Sequence, residues 1–244
     1  MRQAASLEIW TSSTEVVETV SSTQDVVKNP SYPAFKPLIA LHQEKGRGRK
    51  GNRWYSPPGK GLYLSFKLPK EFFPREGEEL SPLSLVVGLA VSETVDSYIF
   101  SKIKWPNDIY INGKKVAGIL VEATPREFIV GIGVNLNTER FPEELKHYAT
   151  SIYRETQSEV DIFEFAHLLL SNLSGELLEF REKGFTPFAE RINRKLLWRN
   201  KRVLIDNREC GKLLGVDERG RALVLTCYKE LRRLSYGDIS LRRK

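Results

Sequence analysis

Sulfur and histidine are scarce in this chain. Its 244 residues hold two cysteines, Cys210 and Cys227, and three histidines, His42, His147 and His167. Two cysteines are too few for a disulfide framework, and neither they nor the histidines follow a metal-binding spacing. A zinc-finger scaffold and an H-E-x-x-H metalloenzyme are thereby excluded. No apolar run approaches the ~18 residues of a membrane helix, and the polar start MRQAASLEIWTSSTEV lacks a signal-type apolar core. The chain therefore reads as cytoplasmic, with no membrane association. Internal repeats and low-complexity linkers are also missing, which rules out a solenoid.

What the chain does have is positive charge. Lysine and arginine outnumber aspartate and glutamate by 38 to 31, a net +7 gathered in the 45–53 stretch and towards the C-terminus. Such an excess invites an anionic partner: nucleotide, nucleic acid or an acidic protein.

Periodicity gives a coarse map. SLEIW reads as a short strand and Thr14 to Lys28 as a first helix behind Ser/Thr caps. LIALHQ and GLYLSFKL are strands on either side of a glycine-arginine segment. SPLSLVVGLAVSETVDSYI has helical spacing, with Ser81 and Pro82 as cap and first turn. KIKW, DIYINGKKVAGILVEA and EFIVGIGVNLN follow as strands, with Asn112-Gly113 as a hairpin turn. Asp161 to Lys183 is a long amphipathic helix, and FTPFAERINRKLL another. From about residue 195, short alternating runs between Asn, Asp and Gly turns signal a small β-barrel. Residues 1–194 are thus expected to form an α+β domain, a mixed β-sheet flanked by helices, and residues 195–244 a barrel.

The segment EKGRGRKGNRW poses the functional question. Gly46, Gly48 and Gly51 have G-x-G-x-x-G spacing, but NRWYSPPGKG follows where a dinucleotide site needs a helix. Pro57, Pro58 and Gly59 forbid one, so no helix N-terminus is available for a phosphate. What remains is a glycine-rich loop carrying Arg47, Arg49, Lys50 and Arg53. Like charges repel, so the free loop should be mobile and should close on an anion, as a lid over phosphate does. A second cluster, Lys104-Trp105-Pro106-Asn107-Asp108, sets charge, aromatic ring, amide and carboxylate at a strand junction, and Lys115 enters the next strand. In GIGVN, Gly131 and Gly133 open one face of a strand and leave room for a flat ligand, with Asn135 next on that face.

Five motifs then occur in order between Ser22 and Asn137: G-R-G-R-x-G, W-x-S-P-x-G-x-x-L-Y-L-S, K-W-P-N-D, K-x-A-G-I-L-V-E and G-x-G-x-N. Together they resemble the biotin–protein ligases, and GKLLGVDERGRALVL with GDISLR resembles that family's small SH3-like barrel. The resemblance implies a catalytic domain related to class II aminoacyl-tRNA synthetases. It also implies a reaction: biotin and Mg2+-ATP give biotinyl-5′-AMP and pyrophosphate, and the biotinyl group passes to one lysine of a biotin carboxyl carrier protein of acetyl-CoA carboxylase.

On the matching positions, the resemblance places Ser22, Thr23, Gln43, Gly46, Arg47, Arg49, Lys115, Gly131 and Gly133 at biotin. Arg47, Arg49, Trp54, Lys104, Asn107, Lys115, Asn135 and Arg242 fall at ATP or the adenylate. Trp54 would stack on adenine and Asn135 hydrogen-bond it. Lys115 and Arg49 would be the catalytic cations, and Asp108 would accept a proton from, or orient, the acceptor amine. The metal ligands are not fixed by the sequence. Gln24 departs from the asparagine usual after Ser-Thr, and Lys45 from a small residue. A helix-turn-helix domain like that of some relatives is not expected, hence no operator DNA binding, and a homodimer is. Lipoate–protein ligase and a non-enzymatic RNA-binding module are the alternatives. The second is disfavoured because aromatics are not interleaved with the basic runs.

Overall fold

The computed structural model describes residues 9–10, 14–73, 80–206, 209–235 and 241–243. In the N-terminal part the elements run β1 (Glu15–Val20), α1 (Thr23–Lys28), β2 (Leu38–Gln43), β3 (Gly61–Pro69), α2 (Leu80–Asp96), β4 (Lys102–Lys104), β5 (Asp108–Ile111), β6 (Lys114–Ala123) and β7 (Glu127–Asn135). Helices α3 (Ile152–Thr156), α4 (Ile162–Lys183) and α5 (Thr186–Lys195) follow, then strands β8 (Arg202–Ile205), β9 (Glu209–Val216), β10 (Ala222–Thr226), β11 (Leu231–Leu234) and β12 (Leu241–Arg243).

The first seven strands form one sheet in the order β1-β2-β3-β7-β6-β5-β4. Its one parallel pair is β1 with β2, and the rest are antiparallel, so the sheet is mixed. Residues 61–68 of β3 are all buried, which requires cover on both faces of the sheet. Helix α1 lies against β2, β3 and β7, while α2 packs on β4, β5, β6 and α4. Arg191 of α5 reaches Glu93 of α2 (2.9 Å) and Glu176 of α4 (2.6 Å), tying three helices together.

The turn between β5 and β6 has φ of 48° at Asn112 and 79° at Gly113, the left-handed pair that a two-residue hairpin demands. Asp161 caps α4 by accepting from the N–H groups of Phe163 (2.8 Å) and Glu164 (2.9 Å).

Two local expectations are corrected. Thr14 to Lys28 is not one helix: Glu15–Val20 is a strand, and the helix spans only Thr23–Lys28. Val16, Val17 and Val20 suit a strand, and pairing with β2 outweighs the nearby capping residues. Of SLEIW, Ser6 to Glu8 lie outside the described residues, and Ile9 and Trp10 are in no strand. Trp10 instead packs edge-on to Phe66, and its Nε1 donates to the Leu170 carbonyl at 3.2 Å.

The last five strands make a second, antiparallel sheet in the order β11-β10-β9-β8-β12. Its apolar side is continuous with the main core: Val203, Leu213, Val216 and Val224 join the same buried cluster as Trp105 and Leu85. The two cysteines, read from sequence as outside any disulfide framework, are joined to each other. Cys210 and Cys227 form one disulfide across this sheet, with Cα atoms 5.9 Å apart. Among the described residues no helix is long and apolar enough to cross a membrane.

Candidate active site

A cleft of about 430 Å3 opens over the centre of the large sheet. β6 and β7 make its floor, and one end comes from the end of β2, the β2–β3 connection and the start of α1. Gln43, the last residue of β2, accepts from the backbone N–H (2.9 Å) and hydroxyl (3.1 Å) of Thr23 and donates to Ser56 (3.0 Å). The Thr23 hydroxyl also meets Ser65 of β3 at 2.8 Å. Ser22, at the N-cap of α1, is 1% exposed, and its hydroxyl has no hydrogen-bond partner among the described residues. A buried hydroxyl at the cleft wall needs a polar partner, which a ligand in the cleft can supply.

The glycine-arginine loop is a tight hairpin. Trp54 N–H donates to the Gly46 carbonyl at 2.9 Å, Gly48 N–H donates to the Asn52 carbonyl at 2.7 Å, and Arg47 bridges Arg53 across the ladder. A Cβ on Gly46 would stand 2.6 Å from the Trp54 carbonyl oxygen, and Gly51 holds the turn at φ 76°. The glycines thus answer to close approach and to a left-handed turn.

The sheet's glycines seat the protein's own side chains. Gly133 of β7 pairs with Gly118 of β6, and the Trp54 ring rests on both. A Cβ on Gly133 would lie 2.4 Å from Trp54 Cε2, and one on Gly131 would lie 2.3 Å from Gln24 Oε1. The face expected to lie open for a flat ligand therefore carries an indole. Its Nε1 is buried with no partner among the described residues. An aromatic plate held on a glycine floor is a stacking platform for a planar group.

Cations surround that platform. Lys115 Nζ stands 5.2 Å from the Trp54 ring centroid and 2.6 Å from Asp108 Oδ1. Arg49 donates to Asn107 Oδ1 at 2.9 Å, and the Asn107 amide donates to the Ile119 carbonyl at 2.8 Å. Lys104 lines the same cleft and donates to the Tyr110 hydroxyl at 3.3 Å. The K-W-P-N-D turn splits its duties. Trp105 is buried and donates to the Gly220 carbonyl in the turn between β9 and β10 at 3.0 Å, while Asn107 and Asp108 face the cleft. The Trp105–Pro106 peptide is cis.

Arg47 turns to the cleft's rim, where Asp25 (2.6 Å) and Glu122 (2.8 Å) hold it. Burial works against its charge, but Glu122 and Asp25 outweigh this and raise its pKa above the ordinary value.

The sequence-derived residues thus divide. Ser22, Thr23, Gln43, Arg47, Arg49, Trp54, Lys104, Asn107, Asp108, Lys115, Gly131 and Gly133 line one cleft, and Gly46 sits at its edge beside Gln43 and Trp54. Asn135 does not line it: the amide donates to the Thr150 carbonyl at 3.0 Å, tying β7 to the segment beside Lys115. Arg242 lies in β12 opposite Leu204, with its side chain outside the described part. Asp25, Glu122 and Gln24 were given no role by sequence. Their one signal was the acidic end of K-x-A-G-I-L-V-E and the unusual glutamine after Ser-Thr.

A family model, described as the biotin/lipoate A/B protein ligase family, matches residues 16–139, half of the chain. The chain belongs to that family. This biotin/lipoate ligase chain is similar to the bifunctional ligase/repressor BirA of Bacillus subtilis, 31% identical over 93% of this chain and 72% of the relative. The biotin--[acetyl-CoA-carboxylase] ligase of Mycobacterium tuberculosis is 33% identical over 70% of this chain and 66% of that one. Among solved structures, the Aquifex aeolicus biotin protein ligase in complex with biotin and ATP aligns with a TM-score of 0.87 and 38% identity, covering 94% of this chain and 99% of that one. The apo structure of that protein aligns at 0.82 and 34% identity, over 95% and 100%.

Proposed function

We propose that this protein is a biotin–protein ligase that activates biotin with ATP to biotinyl-5′-AMP and pyrophosphate, then biotinylates a lysine of a biotin carboxyl carrier protein. The observation that carries the reading is the cleft itself. A polar end at Ser22, Thr23 and Gln43 fits the neutral ureido ring, and an indole platform ringed by Lys115 and Arg49 fits an adenylate.

In the first half-reaction the biotin carboxylate attacks the α-phosphorus, and pyrophosphate leaves. Negative charge crowds the reacting centre, so Lys115 and Arg49 contribute by position and charge. Asp108 is the one carboxylate lining the cleft among the described residues, and no cluster of three metal-type ligands occurs there. That donor set fits a Mg2+ that arrives with the ATP phosphates and takes at most Asp108 from the protein, where it would neutralise phosphate charge. In the second half-reaction the acceptor amine attacks the biotinyl carbonyl, AMP leaves, and the amine proton goes to Asp108, which then sits against Lys115. The enzyme is taken to work in the cytoplasm as a homodimer.

The glycine-arginine loop closes over the adenylate and keeps water from this mixed anhydride.

The test is biotin-dependent release of labelled pyrophosphate from ATP, with lipoate and RNA as parallel arms. Biotin alone should drive release and, with ATP, raise the melting temperature. Release with lipoate and none with biotin would overturn the reading. Asp108→Asn that transfers biotin from preformed adenylate at the normal rate would remove Asp108 from the second step.

A further inference from the structure

We propose that Asp25 and Glu122 form a two-carboxylate latch that grips Arg47 and holds the 46–53 loop across the cleft, making all three positioning residues. What the latch retains rests on the biotin-ligase reading; the latch itself rests on geometry.

The two carboxylates come from different elements, Asp25 from α1 and Glu122 from β6, and neither belongs to the loop. Each takes a separate nitrogen of the same guanidinium, Nη1 at 2.6 Å and Nη2 at 2.8 Å. Glu122 is itself fixed: Gln24 donates to its other oxygen at 3.1 Å and to the Ile129 carbonyl at 3.3 Å. Gln24 is buried and fills the space that Gly131 leaves. The chain of support therefore runs from the sheet floor through Gln24 and Glu122 to the loop.

From Arg47 it continues into the site. The bridge to Arg53 and the Gly46–Trp54 hydrogen bond couple Arg47 to the indole platform, and Arg49 follows two residues on.

Charge assigns Arg47 to the latch in place of the phosphates. Both ends of the Arg47 guanidinium are taken by carboxylates within 3 Å, and Lys28 stands 3.9 Å from Glu122, so an incoming phosphate would have to displace charged partners to reach Arg47. Arg49 donates to the Asn107 side-chain oxygen on the other side of the cleft.

The loop's own sequence supplies the assay, because Arg49, Lys50 and Arg53 are trypsin sites. Native-state trypsin cleavage within the loop, read by mass, needs no ligand and no activity. Glu122→Gln and Arg47→Ala should each speed it by on the order of fivefold, the size of one partly exposed charged pair. The double variant should be no faster than the faster single. Asp25→Asn, at a half-exposed residue, serves as a second variant that keeps the fold, and Glu139→Gln, at a pair remote from the loop, should leave cleavage unchanged.

In the biotinylation assay Glu122→Gln should raise the KM for biotin and hasten escape of adenylate, with kcat for pyrophosphate release little altered. Wild-type cleavage rates in both Glu122→Gln and Asp25→Asn overturn the latch. So does an Arg47→Ala enzyme dead in adenylate formation beside a Glu122→Gln enzyme normal in every measure. Absence of all biotin chemistry would overturn the proposed function while leaving the cleavage result to decide the latch.

Discussion

A single methyl group tests the indole platform. In Gly133→Ala the new Cβ would lie 2.4 Å from Trp54 Cε2 and 2.5 Å from Nε1, and no backbone atom is among its nearest contacts. Non-bonded carbons prefer ~3.5–4.0 Å, so the ring must retreat by about 1 Å or more. Because the obstacle is a half-buried side chain, the fold can absorb this. Overpacking costs ~1–3 kcal/mol, while replacing glycine in a strand returns roughly 0.5–1 kcal/mol. At ~2–4 °C per kcal/mol for a protein of this size, the melting temperature should fall by less than ~10 °C.

Function should suffer far more. A stacking surface displaced by about 1 Å costs on the order of a hundredfold, equivalent to ~2.7 kcal/mol. The measurement is kcat/KM for ATP in biotin-dependent pyrophosphate release, alongside the melting curve. Trp54→Ala provides the cross-check: in that background the added methyl meets no ring, so Gly133→Ala should have little further effect. If Gly133→Ala keeps wild-type kcat/KM for ATP, or if its loss persists in full in the Trp54→Ala background, the platform argument is wrong.

Three further outcomes follow from the structure. Lys115→Ala should lower pyrophosphate release by about 10²–10³-fold, as loss of one preorganised charge donor does, and an unchanged rate would remove Lys115 from the chemistry. Cys210→Ser should cost the small sheet ~3 kcal/mol, the loop-closure value for a separation of 17 residues, seen as a lower melting temperature that reductant no longer shifts. Asp217 gives a pH signature: burial raises its pKa, but the Arg221 side chain and the N–H groups of Arg221 and Arg219 outweigh this and hold it below 3.8. Its stabilisation is therefore complete above pH 3.8 and lost as pH falls through the folded-state value, so the melting-temperature gap to Asp217→Asn should close in acid. A gap that stays constant from pH ~5 to ~2 would contradict this.

The parts of the molecule legible in the sequence are those fixed by local chemistry. Asn112-Gly113 demands a left-handed turn whatever surrounds it, and Asp161 caps a helix from its own first turn. The glycines at 131 and 133 announce close approach on one strand face, although not that Trp54 and Gln24 make the approach. What escaped depends on partners distant in the chain. β1 is a strand because β2 pairs with it, against local capping signals. Glu122 meets Arg47 across 75 residues, and Asn135 gives its amide to Thr150 because the β7 terminus abuts the segment beside Lys115. Residue type reported the need for each partner and left its identity to the fold.

The same contrast explains why G-x-G-x-x-G spacing misleads here. In a dinucleotide fold the three glycines serve one turn ahead of a helix. Here Gly46 yields space to the Trp54 carbonyl, Gly51 turns the chain at positive φ, and the arginines between them anchor opposite sides of a cleft. Arg47 is fastened to two carboxylates, and Arg49 donates to the Asn107 amide oxygen. An anion entering the cleft would have to displace two charged partners to reach Arg47. On the proposed function, a glycine-flanked arginine pair anchored on opposite sides of the cleft would combine closure and charge delivery within the same six residues.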